Sequence, residues 1–276
     1  MSQYECKTKS LRTTKMDNKI SVLMTVHNCE KYVFDSIQSI LSQTHINFEL
    51  VIVDDLSEDK SKIIIESIED KRIRFFKSTI KLGRTKALNY GLQKCNSKFI
   101  AIQDADDVSH INRLENCMKI FNENNNIGLI STSFNFINFA GEVEKMDNKL
   151  KKSRMKIDKL KYINFIPHSS IVFKRDHFDK NLFYDEKYLY AQDYNLILKF
   201  FKHSKIYLLN KDLVDIRRHS ENMSNNKFYS KVRVKENLNL LIFSFKNFNF
   251  NFLETINASI VFLKNTIKLL YFSIFK

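Results

Sequence analysis

Apolar and polar positions along the first half of the chain follow two alternating patterns. Short apolar runs at 20–26, 48–53, 73–76 and 99–103 have the length and the β-branched content of buried strands. Between these runs, apolar residues recur three and four positions apart, which is the spacing of an amphipathic helix. Strands that alternate with helices predict a mostly parallel sheet with right-handed crossover connections.

The second half of the chain continues this pattern and then becomes helical. Strands are expected at 127–132, 134–139, 171–173 and 206–209, and from about residue 227 the apolar spacing is that of a helix throughout. The predicted fold class is therefore α/β, a sheet flanked by helices with a C-terminal helical extension.

Three regions of the chain are predicted from these patterns: a tail at 1–18, one α/β domain at 19–225 and a helical segment at 226–276. The tail is polar and basic and has no apolar core of signal-peptide length, so we expect it to be flexible. Within the domain, residues 141–160 are charged and lack periodicity, which is typical of a mobile loop or of a solvated helix.

The last segment has a heptad-like series of apolar residues, alternately three and four apart, comprising Leu253, Ile256, Ile260, Leu263, Ile267, Leu270 and Ile274. Charges at Glu254, Lys264 and Lys268 keep it far short of the roughly 20 apolar residues that a membrane span needs. Packing on the domain and dimerisation both explain the series. Lysines among aromatic residues also suit a helix that lies among lipid headgroups, and we expect peripheral membrane contact.

Composition adds a strong positive charge to this picture. The chain has 45 Lys and Arg against 31 Asp and Glu, a formal charge of +14, which favours nucleic acid, phosphorylated substrates or an anionic membrane as partners. The four cysteines have no Cys-x-x-Cys spacing, so neither a zinc site nor a disulfide framework is indicated, and a reducing cytoplasm is expected.

Candidate chemistry begins directly after the fourth apolar run, where Asp104, Asp106 and Asp107 follow one another. In an open α/β sheet, ligands bind at this end of the strands. Because side chains alternate along an extended chain, Asp104 and Asp106 are expected to face the same side and to share one Mg²⁺ or Mn²⁺, with Asp107 facing elsewhere. The alternative is a solvated acidic turn that caps the next helix.

Five motifs now stand in one order: Ser-Val-Leu-Met-Thr-Val-His-Asn at 21–28, Val-Ile-Val-Asp-Asp-Leu-Ser at 51–57, the segment 83–91, Asp-Ala-Asp-Asp at 104–107 and Ala-Gln-Asp-Tyr-Asn-Leu at 191–196. In this order and spacing they resemble family 2 glycosyltransferases with the GT-A fold, over about residues 19–224. The resemblance implies a Rossmann-like nucleotide-binding sheet and an inverting sugar transfer.

The resemblance implies a pocket for the nucleotide base. Thr25 and His27 stand where members of the family often have Pro and Tyr, and Asn28 follows them. Asp55, with Asp54 beside it, matches the carboxylates that recognise the base, usually uracil or thymine.

The resemblance also implies a diphosphate and metal site. Lys86 falls in the segment that members use near the nucleotide, and Leu88 replaces a frequent Arg. Asp104 matches the contact with the ribose and Asp106 the ligand of the metal, Mn²⁺ or Mg²⁺, with Asp104 as a second ligand. His219 matches a histidine that completes the metal site in some members.

Arg217 and Arg218 suit contacts with the diphosphate, and His168 lies in a stretch that resembles the acceptor side of the family. For Arg217 and Arg218 the alternative is an ordinary surface arginine. For His168 and His219 it is a histidine that is simply hydrogen-bonded within the fold.

Asp193 matches the general base of the family, where Gln192-Asp193 replaces a common Glu-Asp. Displacement at the anomeric carbon needs a carboxylate that takes the proton of the acceptor hydroxyl. Asp185 and Glu186 are weaker candidates for this role. Asp193 is also expected to cap a helix that begins at Tyr194, and the two roles are compatible.

The function that follows from the resemblance is transfer of a sugar from a nucleotide-sugar donor, expected to be a UDP-sugar, to a glycan or lipid-linked acceptor in bacterial surface-polysaccharide synthesis. The expected place is the cytoplasmic face of the inner membrane, with a homodimer possible and nucleic acid not expected. Two alternatives remain open. One is a non-catalytic basic module that binds nucleic acid or membrane. The other is a phosphatase, because residues 104–108 also fit a DxDx(T/V) nucleophile motif.

Overall fold

A computed structural model describes residues 18–144, 156–177, 184–220, 222 and 227–274. The predicted tail, apart from Asn18, lies outside the described residues, and so does the 145–155 part of the charged segment. The predicted boundary at 225/226 also lies outside them, so the division into regions stays a prediction.

The secondary structure begins with alternating strands and helices, as the apolar pattern predicts. The strands are β1 (Ile20–Val26), β2 (Phe48–Asp54), β3 (Ile73–Lys77), β4 (Phe99–Asp104), β5 (Val108–Ser109), β6 (Ile127–Ile137), β7 (Val143–Glu144), β8 (Ile171–Lys174) and β9 (Lys205–Arg217). The helices are α1 (Val33–Leu41), α2 (Ser61–Glu66), α3 (Arg84–Lys94), α4 (Arg113–Glu123), α5 (Gln192–His203), α6 (Lys227–Asn247) and α7 (Phe252–Ile274). Short 3₁₀ turns lie at Ile157–Lys161, His168–Ser170 and Arg175–His177.

These strands form one mixed sheet of nine strands in the order β3-β2-β1-β4-β8-β6-β9-β5, with β7 paired to β6. The first half, β3-β2-β1-β4, is parallel. In the second half, β8 runs antiparallel between β4 and β6, while β9 runs parallel to β6. The carboxyl ends of β1, β2 and β4 therefore meet at one edge of the sheet, where ligands bind in open α/β sheets.

Helices cover both faces of the sheet because alternate strand residues point to opposite sides. On β1, Val22 and Met24 pack into one apolar cluster with α1 and α4, whereas Leu23 packs into a second cluster with α3 and α5. Gly91 lets α3 approach β1 closely, since a side chain at this position would clash with Leu23.

Two element boundaries differ from the sequence-based prediction. The segments 127–132 and 134–139 form one strand, β6, rather than two. The pairing of β6 with β9 shifts register at Thr132–Phe134. The polar residues at this point, between the two predicted strands, therefore form a bulge-like irregularity within one strand and not a turn. β9 extends well beyond the predicted 206–209 for the same reason, because it follows β6 across that irregularity.

The C-terminal helices form an outer layer. Leu240 of α6 packs in one apolar cluster with Tyr194 and Leu198 of α5 and with Ala191, which precedes that helix. α7 packs on α6, with Ala258 fully buried. The predicted heptad series does not face the domain from Leu253 to Leu270, because its members there are exposed; the side chain of Ile274 lies outside the described residues. Within the described part of the chain, no helix has the length and apolar content needed to cross a membrane.

Candidate active site

A cleft of about 850 Å³ lies at the carboxyl ends of β1, β2 and β4. We call it the first cleft; its walls include Thr25, His27, Asn28, Asp55, Arg84 and Asp106. The sheet brings these residues together because β1 pairs with both β2 and β4, so Thr25 lies beside Asp104 and Val26 beside Asp54. Thr25, His27, Asn28 and Asp55 therefore line the same cleft, and their role in a nucleotide pocket stays a prediction.

The loop after β1 owes its shape to Asn28, whose φ of 51° lies in the left-handed region that Asn tolerates. Its side-chain oxygen accepts a hydrogen bond from the Glu58 N–H at 2.8 Å, and its own N–H donates to Ser57 Oγ at 3.0 Å. Asn28 thus ties together the loops after β1 and β2, two loops that line this cleft.

Asp55 holds the loop that leads into α3. Its carboxylate accepts hydrogen bonds from the N–H groups of Leu82 at 2.6 Å and Gly83 at 3.0 Å, and Lys81 Nζ lies 3.2 Å away. Asp54 is fully buried and lies outside the walls of both clefts described here, with one carboxylate oxygen accepting from the Ser57 N–H at 3.2 Å. Both aspartates are buried, and of the two only Asp55 lines a described cleft, while Asp54 supports the loop.

Arg84 is the residue of α3 that brings a positive charge to both described clefts. Lys86 is exposed and lies outside the walls of both described clefts. Arg84 begins α3, one turn before Leu88, and lies in the wall that the two clefts share. Lys86 lies off the buried face of α3, which carries Thr85, Ala87 and Leu88, and its expected place near the nucleotide stays a prediction.

The three carboxylates after β4 converge. Oxygen atoms of Asp104, Asp106 and Asp107 all lie within 4.8 Å of one another. Simple alternation predicted that Asp107 would face elsewhere. Instead the extended chain ends at Asp104 and turns, with the Asp107 N–H donating to the Asp104 carbonyl at 3.2 Å, so that Asp107 folds back beneath the other two.

Asp104 is held by a cation and a histidine. Arg84 Nη2 donates to its Oδ1 at 2.6 Å, and His168 Nδ1 lies 3.6 Å from the same oxygen. Burial alone would raise the pKa of Asp104, but the Arg84 charge and the nearby His168 side chain hold it well below its usual range. Asp104 therefore stays ionised.

Asp106 is the carboxylate that both clefts share. His219 Nε2 lies 3.0 Å from its Oδ2, and Asn222 Nδ2 donates to the same oxygen at 3.0 Å. His219 thus reaches the carboxylate cluster from the end of β9, as the resemblance implies. Asn222 was not identified from the sequence.

Asp107 is the buried carboxylate of the cluster and lies beneath the other two. Its carboxylate accepts hydrogen bonds from Ser169 Oγ at 2.5 Å and from the Arg217 N–H at 3.0 Å. Burial, followed by the charges of Asp106 and Asp104, raises the pKa of Asp107 well above its usual value.

The cluster fits a divalent metal ion. Its carboxylates repel one another, so a cation among them would be favourable. They also offer the hard oxygen donors that Mg²⁺ and Mn²⁺ prefer. Both oxygens of Asp107 accept hydrogen bonds from the protein, whereas the bonds described for Asp104 and Asp106 fall on one oxygen of each. The residues suited to hold a metal are therefore Asp104 and Asp106, with His219 beside them.

Arg217 supports the carboxylate turn, and its expected contact with a diphosphate stays a prediction. It is buried, and its guanidinium donates to the main-chain oxygens of Asp106 at 3.0 Å and Phe139 at 3.1 Å. These bonds hold the carboxylate turn in place. Arg218 is half-exposed, covers the Phe136 ring and pairs with Glu144 at 3.2 Å.

A second cleft, of about 620 Å³, adjoins the first and shares Arg84, Asp106 and Asn222 with it. Its walls also include Asp104, His168, Tyr190 and Asp193. His168 Nε2 lies 2.7 Å from the Tyr184 hydroxyl, and its Nδ1 lies 3.3 Å from Arg84 Nη2, so His168 is a hydrogen-bonded part of this wall.

Asp193 lies in the first turn of α5 and faces the second cleft. One oxygen accepts from the Tyr194 N–H at 2.7 Å, and the other from Asn164 Nδ2 at 3.2 Å. Burial raises the pKa of Asp193, against the lowering effect of His168 and Arg84. The predicted capping role is wrong, since α5 begins at Gln192 and its N-cap residue is Ala191.

Asp185 and Glu186, the weaker candidates for the base, line neither cleft described here. Asp185 accepts a hydrogen bond from the Lys187 N–H at 3.1 Å, and Glu186 accepts one from Asn89 at 3.1 Å. Of the three candidates, only Asp193 faces the cleft that contains the carboxylate cluster.

Sequence reasoning missed Arg84, Asn222 and Ser169. A signal existed for Arg84, because it stands four residues before Leu88 and so lies one helical turn from the position where the resemblance expects an arginine. For Asn222 and Ser169 no local pattern marks the residue, since each acts on a carboxylate far away in the chain.

Comparisons with known proteins agree with this geometry. The family described as "Glycosyl transferase family 2" matches residues 21–182. The O-antigen biosynthesis glycosyltransferase WbnJ of Escherichia coli is 37% identical over 173 residues, covering 60% of this chain and 65% of that protein. The chain spans less than two thirds of the length of the curated relatives it matches.

Two solved structures share the fold. TarS 1-349 of S. aureus in complex with UDP-GlcNAc has a TM-score of 0.71 at 18% identity, covering 91% of this chain and 73% of that chain. The mannosyltransferase PcManGT of Pyrobaculum calidifontis, in complex with GDP-Man and Mn²⁺, has a TM-score of 0.67 at 17% identity, covering 91% and 71%. The prediction of a GT-A fold is confirmed.

Proposed function

Because this chain belongs to glycosyl transferase family 2, we propose that it transfers one sugar, with inversion, from a nucleotide-sugar donor to a glycan or lipid-linked acceptor. One observation carries the proposal: a carboxylate suited to act as base, Asp193, shares a cleft with the Asp104–Asp106 cluster, and this cleft joins a larger one. A transferase for two substrates needs two adjoining sites of this kind.

The first cleft suits the nucleotide of the donor. Thr25, His27 and Asn28 offer a wall for the base, and Asp55 stabilises the loop that closes this side. Asp104 matches the contact with the ribose. Arg84 and Lys81 supply positive charge near a diphosphate that enters the cleft.

The second cleft suits the acceptor. As the acceptor oxygen forms its bond to the anomeric carbon, its proton passes to Asp193, and the bond from that carbon to the diphosphate oxygen breaks with its electron pair leaving on the diphosphate. The raised pKa of Asp193 strengthens it as a base, because a carboxylate with a higher pKa holds the transferred proton more firmly.

The carboxylate cluster suits a divalent ion at the junction of the clefts. Asp104 and Asp106 would hold it with His219, and such an ion neutralises the charge that develops on the departing diphosphate. Arg84 is placed to share that task from the wall of α3. Mn²⁺ and Mg²⁺ both suit these ligands.

A UDP-sugar is the donor that we propose, either a hexose or an N-acetylhexosamine. The neighbour TarS was solved with UDP-GlcNAc, which supports this choice, whereas PcManGT was solved with GDP-Man. The likeness to an O-antigen biosynthesis enzyme supports synthesis of lipopolysaccharide or another surface polymer. We propose that the reaction takes place at the cytoplasmic face of the inner membrane, because the basic charge of the chain favours contact with anionic lipid.

The direct test is calorimetric titration of the full chain with UDP, TDP, GDP and CMP, with and without Mn²⁺. Binding of UDP that requires Mn²⁺ is the expected result, and it justifies a screen of UDP-sugars for transfer. Failure of the folded protein to bind any of these nucleotides would overturn the proposal. Release of phosphate from a phosphomonoester would instead favour the phosphatase alternative, whose motif normally follows the first strand and here follows β4.

A further inference from the structure

The outer surface of α7 carries an exposed apolar stripe that the proposed reaction does not explain. We define the α7 stripe as Leu253, Ile256, Ile260, Leu263, Ile267 and Leu270, whose exposed fractions run from 40% to 66%. Phe252 and Tyr271 extend it at the two ends and are 84% and 57% exposed. A soluble surface rarely shows so many large apolar side chains in one continuous patch.

The stripe lies on one face because its members recur three and four residues apart. The opposite face of α7 packs on α6 and carries Ala258, which is fully buried. Glu254 fixes the start of the helix through an ion pair with Lys161 at 3.0 Å. Since α7 has 23 residues, the stripe runs along a rigid rod of about 35 Å that is already anchored to the protein on its other side.

The two borders of the stripe differ in chemistry. Exposed lysines, Lys264 and Lys268, each follow a stripe residue and lie on one border. Hydroxyl residues each precede a stripe residue and lie on the other border, comprising Thr255, Ser259 and Thr266. An apolar face bordered by lysines and small polar groups is the pattern of a helix that lies in the plane of a membrane interface.

We infer that the α7 stripe docks on an anionic lipid surface, with its apolar side chains among the acyl chains and Lys264 and Lys268 against lipid phosphates. Charge favours lipid over a second copy that would pack its own α7 against the stripe. Glu254, already paired with Lys161, is the sole acidic residue of α7. A second α7 would therefore offer the two lysines no carboxylate, whereas an anionic lipid offers each a phosphate.

This inference deepens the proposed function, because the surface that binds lipid would bring a lipid-linked acceptor to the enzyme. It depends on that function for this consequence alone. The geometry of the stripe and the charge on its border stand without it.

Vesicle sedimentation of the full chain tests the inference. We expect strong binding to vesicles of phosphatidylglycerol and phosphatidylethanolamine, and much weaker binding to vesicles of phosphatidylcholine. Lys264→Gln with Lys268→Gln should weaken binding to the anionic vesicles about thirty-fold, since each lysine near such a surface contributes about 1 kcal/mol. Lys60→Gln with Lys119→Gln, which changes exposed lysines elsewhere, should have little effect.

The apolar contribution has its own matched pair of variants. Leu263→Asn with Ile267→Asn should reduce vesicle binding at least ten-fold. Ile46→Asn with Ile63→Asn makes the same chemical change at side chains that are 79% and 67% exposed and lie off the stripe, and it should leave binding unchanged. Circular dichroism and thermal melts of every variant show whether the fold is retained.

Equal losses in the stripe pair and the control pair would overturn the inference, as would failure of the unaltered chain to bind anionic vesicles. A dimer in sedimentation velocity that the stripe variant abolishes, without vesicle binding, would assign the stripe to a second copy instead. Vesicle binding in a protein that binds no nucleotide would support this inference while it overturned the proposed function.

Discussion

Arg84 and Asp104 form an ion pair, with 2.6 Å between Nη2 and Oδ1, in the wall that separates the two clefts. The same Nη2 lies 3.3 Å from His168 Nδ1. One guanidinium therefore links the first residue of α3, the carboxylate cluster after β4 and the histidine of the second cleft. This relationship places a fixed positive charge where the donor diphosphate and the acceptor would meet.

Replacing Arg84 should damage the reaction more than it damages the fold. Arg84→Met removes the charge beside Asp104, and we expect kcat/KM to fall about 10²-fold, the loss typical of removing one group that stabilises developing charge. Arg84→Lys should recover part of the lost kcat/KM, because an ammonium group keeps the positive charge but not the planar set of donors of the guanidinium. The measurement is initial-rate kinetics of UDP release.

The control for Arg84 is Lys86→Met, which removes a cation two residues away on the exposed side of α3. Kinetics like those of the unaltered chain are expected for it. Comparable losses in both variants would show that general charge, and not the Arg84–Asp104 pair, matters.

Asp106→Asn should abolish the metal dependence of nucleotide binding. The substitution keeps the size of the side chain but removes the charge of the carboxylate that both clefts share. Calorimetry should show no gain in UDP affinity on addition of Mn²⁺. Asp176→Asn, which changes a half-exposed carboxylate paired with Lys98, should bind UDP and Mn²⁺ normally; the same defect there would argue against a local metal site.

Asp193→Asn should separate binding from chemistry. We expect kcat to fall about 10²- to 10⁴-fold, the range for loss of a general base, while the Kd for UDP changes little. Asp185→Asn, a change at a carboxylate outside both described clefts, should leave kcat intact. Normal turnover by Asp193→Asn would assign the base to another residue.

The pH dependence of kcat should report the raised pKa of Asp193. A base acts in its ionised form, so kcat falls as the pH drops through that pKa. Because burial raises the pKa, the fall should begin at a higher pH than an exposed aspartate, with its usual pKa of about 3.9, would give. UDP affinity measured over the same pH range distinguishes this fall in kcat from a loss of donor binding.

Glu49 should contribute to stability far from the site. Its buried carboxylate accepts hydrogen bonds from Ser21 Oγ at 2.5 Å, the Asn96 N–H at 2.8 Å and Arg74 at 2.9 Å. Glu49→Gln should reduce the free energy of unfolding by about 2 kcal/mol. Glu66→Gln changes a carboxylate in an exposed ion pair with Lys77, and it should reduce the free energy of unfolding by less than about 1 kcal/mol.

The Glu49 effect should depend on pH. Burial would raise the pKa of Glu49, but the hydrogen bonds from Ser21, Asn96 and Arg74 lower it below its usual value. The stabilisation is therefore present above the usual glutamate pKa of about 4.3 and is lost as the pH falls through the lowered value. Thermal melts of the unaltered chain and of Glu49→Gln should converge in acid; a constant gap would contradict this origin.

Much of the fold follows from the sequence alone, because strands and helices are recorded in local periodicity. The apolar runs at 20–26 and 48–53 became β1 and β2 within one residue, and the parallel first half of the sheet follows from their alternation with helices. The order of motifs was enough to place the chain in its family. Asp106, His219 and Asp193 were named without a structure.

The tertiary structure alone decided which of these residues act together. The chain turns after Asp104 and brings Asp107 into the cluster, against simple alternation. Arg84 pairs with a carboxylate 20 residues away, and Asn222 with one 116 residues away. Arg217 donates hydrogen bonds to main-chain oxygens. The α7 stripe faces outward, although its spacing equally suited packing on the domain. Periodicity records which face of an element is apolar, whereas the partner of a polar group depends on distant segments that only the packed sheet brings within reach.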